Sequence, residues 1–272
     1  MSRLGSSTKP TVSLGRKLLP VIPFAGLLVI WIITWQVTKP SLATLPSAQR
    51  VLDTLLELAG SGELWTNVAA SMSRWGIALV MAVGLGVVLG VLAGLNRFAG
   101  MFFEPLATFF TAMSGIVWLP LAFVWFGIGT PTIVFVIWNS MFFLVFANTL
   151  LGVRSVPTLL EDGIRTLGGG RSEVVRDVIL PGALSHIMSG VRAGLGFGWR
   201  ALIAAEIIGA TAGLGAMIFH ATEFLRSDII VAGNLVIGTL GMAIDLLVLA
   251  PIERRTIERW GLVDKGSAED AL

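Results

Sequence analysis

The chain has 272 residues, of which 55% are hydrophobic and 13% charged, with a mean hydropathy of +0.85. Soluble domains carry about 25% charged residues, so this balance excludes a disordered chain and argues against an ordinary soluble enzyme. Cys 0 excludes disulfides, thiolate metal sites and cysteine nucleophiles, His 2 is too few for a histidine-rich metal site, and a formal net charge of only +2 gives no footing for nucleic acid.

A membrane-spanning helix needs about 20 predominantly apolar residues. Six stretches qualify in chain order. The first runs from Leu18 to Val37. The second, Trp75 to Leu95, carries no charge. The third, Pro105 to Ile128, is interrupted by Pro120. The fourth, Ile133 to Val153, is also uncharged. The fifth, Gly182 to Gly209, holds Arg192, Arg200 and Glu206, and the sixth, Ile229 to Ile252, holds Asp245. The predicted class is therefore all-α and polytopic: a tail over 1–17, a six-helix domain over 18–252, and a tail over 253–272. Arg16 and Lys17 precede the first stretch, so a signal peptide competes with an uncleaved span. The stretch is long and rich in Trp, and no small-residue cleavage site follows it.

Basic residues mark the cytoplasmic side. With the N-terminus inside, 13 Lys and Arg fall in inner segments and four (Lys39, Arg50, Arg74 and Arg226) in outer ones. Both termini are then cytoplasmic, in agreement with an even number of spans. Between the first two spans, Val51, Leu52, Leu55, Leu56 and Ala59 recur at helical spacing behind Ser47, a suitable N-cap. This predicts an amphipathic helix, lying either along the outer interface or over the bundle.

Two glycine triplets at four-residue spacing, Gly86-Gly90-Gly94 and Gly190-Gly194-Gly198, would let neighbouring helices approach closely. Arg192, Trp199 and Glu206 are seven apart and share a face. Charges inside a span are costly unless paired, so Arg192 and Glu206 either serve function or pair with other elements. Arg200 lies toward the outer end of its span, where it either attracts an anion or snorkels to the interface. Trp118 and Trp125, seven apart around Pro120, form either a pore wall or an aromatic seam. Trp118, Trp125, Trp199 and Arg200 are the candidate translocation pathway, because indole N–H groups and a guanidinium are the donors that the spans offer to an anion. Neither a Walker A loop nor a Gly-x-Ser-x-Gly elbow nor His-Glu-x-x-His occurs. No cofactor and no metal are expected.

The inner segment between spans four and five reads Glu161-Asp162-Gly163-Ile164-Arg165-Thr166-Leu167-Gly168-Gly169-Gly170-Arg171 and continues to Val178-Ile179-Leu180-Pro181. Short polar helices flank a triple glycine that can take positive φ, and Pro181 is placed to start the next span. On composition alone this is either a plain helical hairpin or a docking element. Its spacing resembles the cytoplasmic EAA loop of bacterial ABC importer permeases. Asp162 falls on the Glu position, Gly163 and Ile164 fall on the alanines, Gly168, Leu180 and Pro181 are identical, and Val178 replaces Ile.

Further patches are similar to the nitrate, sulfonate and taurine branch of that family. They are Trp118-Leu119-Pro120-Leu121, Trp125-Phe126-Gly127-Ile128-Gly129, Val178 to Leu184, Gly198-Trp199, Ala204-Ala205-Glu206, and Glu223-Phe224-Leu225 with Asp228. Arg200, where the branch carries a small polar residue, and Ser114-Gly115, where relatives often have proline, depart from its pattern. The resemblance implies a type I importer permease fold in the inner (plasma) membrane. It implies two permease chains forming a twelve-span pore, cytoplasmic ATPase subunits docked on the 157–181 loop, and a periplasmic or lipid-anchored solute-binding protein. The ATPase-coupling residues it implies are Asp162, Gly163, Gly168, Arg171, Leu180 and Pro181. The implied cargo is a small anion, taurine- or alkanesulfonate-like or nitrate-like. The alternative function is a secondary transporter that works without an ATPase; no internal repeat of the kind such folds often show is evident.

Overall fold

The structure is a computed structural model that describes residues 22–41, 44–249 and 251; the two chain tails and the start of the first predicted span lie outside these residues. The described residues contain helices and no strands. In order they are α1 (Ile22–Thr38), α2 (Ala48–Gly60), α3 (Glu63–Leu95), α4 (Arg97–Ala112), a 3₁₀ turn (Gly115–Trp118) leading into α5 (Leu119–Phe126), and α6 (Thr130–Ser155). Then come α7 (Thr158–Thr166), α8 (Arg171–Gly209), α9 (Leu214–Glu223) and α10 (Ser227–Ile244).

Helices α3, α6, α8 and the α10 segment are long and apolar enough to cross a membrane, and α4 with its continuation makes a fifth if the bent pair is one span. The described part of the first predicted span, α1, has 17 residues and buries none of them. It is tied down through Trp31 Nε1, which donates to the Pro46 carbonyl at 3.2 Å.

Helix α6 is the central post, packed along its length against α3 on one side and α8 on the other. Its sequence is apolar all round, as a helix buried among helices must be. Both glycine triplets face it. A Cβ on Gly90 would lie 2.7 Å from Thr149 Cβ, one on Gly94 2.6 Å from Val153 Cβ, and one on Gly190 2.6 Å from Asn148 Cβ. In lipid, where apolar burial adds little between helices, such close contact supplies the dispersion energy that holds them.

Three boundaries differ from the sequence reading, each for a local reason. The second span starts at Glu63 rather than Trp75, so its 33 residues are about 50 Å long, more than the thickness of the hydrocarbon core. The third span breaks at Met113 and Ser114, both extended, and not at Pro120. The two halves are bent by 91°. Gly115 permits this, because any Cβ there would collide with Ser140 Oγ on α6. Pro120 sits in the first turn of α5, where its missing N–H is harmless.

The fifth span is the end of a 39-residue helix that begins at Arg171. Pro181 lies inside it, and a π-helical turn over Val175–Ile179 precedes it. The widened turn makes room for the proline ring and for the Asp177 carbonyl that it leaves without a helical donor. The amphipathic α2 is present with its Ser47 cap, but its buried face is Val51, Thr54 and Leu58, while Leu52 and Leu56 point outward.

The glycine contacts make a prediction. Gly90→Val should destabilise the α3–α6 pair by about 1–3 kcal/mol through overpacking. Gly84→Val, where nothing lies within 4 Å, should leave stability unchanged. Thermal unfolding of the detergent-solubilised protein checks both.

Candidate functional site

One end of the bundle carries an elbow formed by α7, Leu167 to Gly170, and the start of α8. Helix α7 ends because Gly168 takes φ +87°. Gly168 N donates to the Arg165 carbonyl at 3.0 Å and Gly169 N to the Ile164 carbonyl at 3.0 Å. These two bonds are the Schellman arrangement, with Gly168 in the left-handed position. Of the three glycines able to take positive φ, Gly168 is the one that does so. The Glu173 carboxylate accepts from Gly170 N at 3.0 Å and caps the start of α8.

The six predicted coupling residues are not one cluster. Gly163 and Pro181 line a groove of about 410 Å³ between α7 and α8, with Leu159, Leu160 and Ile164. Asp162 is exposed on α7, Gly168 is the corner, and Arg171 lines a neighbouring cavity with Glu161 and Arg165. Leu180 is partly exposed one residue before Pro181. The elbow also presents Leu159 and Leu167, which are 79% and 86% exposed. Exposed leucines on a polar corner leave apolar area for a partner to cover.

Within the bundle, Trp199 and Arg200 line a cavity of about 190 Å³ together with Trp75, Arg192 and Asp245. Trp75 and Trp199 meet edge to face at 6.1 Å between ring centres. Arg192 and Asp245 are an ion pair at 3.6 Å. The Arg200 guanidinium lies over the Phe197 ring at 5.5 Å. The other two candidate pathway residues stand elsewhere. Trp118 packs on Phe110, its indole N–H buried without a hydrogen-bond partner. Trp125 is 54% exposed beside Phe126 and Phe135 and lines neither this cavity nor the one at the helix break.

Glu206 does not join Arg192 and Trp199. It is 0% exposed and paired with Arg74, whose Nη1 lies 2.7 Å from Oε1. Ser71 Oγ donates to the same carboxylate at 2.8 Å, and Gly215 N donates at 3.0 Å. Arg74 Nη1 also donates to the Ala212 carbonyl at 2.6 Å, and Asn67 Oδ1 accepts from Gly213 N at 2.8 Å. Arg74 was counted among the outer basic residues; it is a buried helix residue, 7% exposed. The signal was Asn67, Ser71 and Arg74, polar residues at i, i+4 and i+7 on one face of α3.

A second polar tie missed in the sequence joins α2 to the start of α10. Asp228 accepts from Arg226 Nη2 at 2.8 Å, Thr54 Oγ1 at 3.0 Å and Arg50 Nε at 3.3 Å.

Residues 86–256 match the family described as binding-protein-dependent transport system inner membrane component, and the chain belongs to it. It is thus a permease subunit, a membrane component rather than an enzyme. It is 38% identical over 238 residues to the taurine transport system permease protein TauC of Escherichia coli (strain K12), covering 85% of this chain and 86% of that one. It is 30% identical over 236 residues to a provisionally named aliphatic sulfonates transport permease protein, SsuC, of Bacillus subtilis (strain 168), covering 87% and 85%. It is 32% identical over 255 residues to the bicarbonate transport system permease protein CmpB of Synechococcus elongatus (strain ATCC 33912 / PCC 7942 / FACHB-805), covering 88% of each. An inward-facing structure of the MetNI methionine ABC transporter shares the fold, with a TM-score of 0.56 at 17% identity, over 71% of this chain and 97% of that one.

The buried pair yields a prediction. Arg74→Leu or Glu206→Leu alone should cost about 3–5 kcal/mol, because the remaining charge stays buried and unpaired. The double replacement should cost less than either single one. Thermal unfolding of the three variants in detergent measures this, and a double variant as unstable as the sum of the two would contradict it.

Proposed function

We propose that this chain is the pore-forming permease of an ATP-driven importer for a small anion of the taurine, alkanesulfonate or nitrate type. Two copies form the pore, each docking through its 157–181 elbow on a separate ATPase, and a solute-binding protein delivers the anion to the outer face. The elbow is the observation that carries this reading: a left-handed Gly168 corner, an open groove behind it and unpartnered leucines on it. A transporter working alone has no use for such a surface. Asp162 and Gly163 on α7, Arg171 at the start of α8, and Leu180 with Pro181 at the groove are its coupling residues. The anion pathway includes Trp199 and Arg200, with Trp118 and Trp125 on the aromatic wall of the broken span. Membership of the family and its relatives named for taurine, sulfonates and bicarbonate support an anionic cargo.

Purification of the tagged chain from its host should bring down a separate ATPase; recovery of the permease alone, with transport intact, would refute the reading. Gly168→Val places a β-branched residue at positive φ, a strain of about 1–2 kcal/mol. It should abolish coupled uptake while leaving the protein in the membrane, and normal uptake by this variant would remove the elbow from the mechanism.

Both termini lie in the cytoplasm on this reading. Burial of Arg74 strengthens the asymmetry, since it leaves three basic residues in the outer segments. A reporter active only outside the membrane should be silent after Leu272 and active when inserted at Ser61. The reverse pattern would invert the topology.

A further inference from the structure

Resting on the functional reading above, we infer that the cavity at the break between α4 and α5 is the anion's binding site within the permease, and that it takes an organic anion with a short apolar tail. The cavity, about 340 Å³, lies where the third span opens, between that span, α6 and α8. Backbone that leaves a helix in a membrane is tolerated where it is buried in protein or lines a water-filled cavity. Here Met113 and Ser114 leave it and line this cavity.

The cavity's polar lining includes donors suited to an anion, beside Ser140, whose hydroxyl donates to the Val136 carbonyl. Arg200 contributes its guanidinium, which has no acidic partner among the described residues. Thr111 and Ser114 contribute hydroxyls that make no side-chain hydrogen bond among the described residues, and Asn139, 7% exposed, contributes its amide. Only its Nδ2 can donate to an anion; its Oδ1, an acceptor, is buried without a hydrogen-bond partner. No acidic side chain lines the cavity, so nothing there pairs with an ammonium group.

The adjoining cavity differs. Asp245 lines it and faces Arg192, and Arg200 borders both spaces. A bare anion at membrane depth must replace its water with charge and oriented donors. The break cavity supplies them from three elements.

The rest of the lining is apolar. Phe110 and Phe143 stack at 4.6 Å between ring centres, and Leu144 and Phe197 continue this wall. A hydrocarbon tail lying there would leave water while the head group remains on Arg200 and Ser114. An inorganic anion gains nothing from that wall. The relevant probes are therefore linear alkanesulfonates of different length. Ala204 is the size control, since it lines the cavity and a larger side chain would intrude on the tail.

The test uses the complete transporter, with ATPase and binding protein, reconstituted in liposomes. Uptake of ethanesulfonate, pentanesulfonate and nitrate is compared between variants carrying the same binding protein, so its own preference cancels. Arg200→Gln should lower uptake of both sulfonates roughly tenfold or more, and Arg200→Lys should restore much of it, because the charge is kept. Ala204→Leu should reduce pentanesulfonate uptake roughly tenfold more than ethanesulfonate uptake, as a tail-sized pocket discriminates. Co-purification of the ATPase with each variant establishes assembly.

If assembled Arg200→Gln imports sulfonates at the unmodified rate, or if Ala204→Leu lowers both sulfonates equally, the site is refuted while the functional reading stands. Import of nitrate but of neither sulfonate by the unmodified complex overturns the tail assignment. Failure of that complex to import any small anion overturns the functional reading itself.

Discussion

A charge pair buried near the end of the bundle opposite the elbow decides how three elements meet. Arg74 and Glu206 are both almost entirely removed from water, at 7% and 0% exposure. Each would cost several kcal/mol alone, so neither helix can shift without the other. The pair is completed by hydrogen bonds from Ser71 and Gly215 to the carboxylate and from Arg74 to the Ala212 carbonyl. Helices α3 and α8 and the 210–213 connection into α9 are thereby locked in one register. Gly213 belongs to the same constraint. It takes φ +132°, and a side chain there would run into the Glu206 carboxylate.

From that anchor, α8 runs to the elbow on the opposite side. Its 39 residues correspond to about 58 Å, more than the thickness of the hydrocarbon core. Arg200 and Trp199 lie on the same helix, between the anchor and the corner at Gly168. The corner and the cavity wall thus share one helix. The π turn before Pro181 is the one irregularity along it, and it lies on the elbow side of Arg192.

The other wall is built in the opposite way. Span three is broken at Ser114 and rests on α6 through Gly115, next to Ser140. Helix α6 itself is fixed on both flanks by glycine contacts with α3 and α8. A close-packed post, one long helix and one broken span surround the cavity at the break, while α3, α8 and α10 line the other. Charged side chains reach these cavities at Arg200 and at the Arg192–Asp245 pair.

The membrane class, the approximate place of five apolar segments, the two glycine stripes and the Ser47-capped helix followed from the sequence. They rest on local chemistry: apolar length, i to i+4 spacing, and the side-chain oxygen a helix start requires. The elbow was legible because Gly168 and the residues around it make a local turn. What the sequence left open was settled by contacts between residues far apart in the chain. Arg74 reads as one more charge before an apolar stretch until Glu206, 132 positions later, lies beside it. Pro120 reads as the natural break in span three. The break falls at Ser114 instead because Gly115 must pass under Ser140, a steric fact that belongs to α6. Trp118, Trp125 and Trp199 share a residue type, but only Trp199 joins Arg200 at a cavity. Which face of a helix looks inward was decided by its neighbours, because in a chain this apolar nearly every face is greasy enough to be buried.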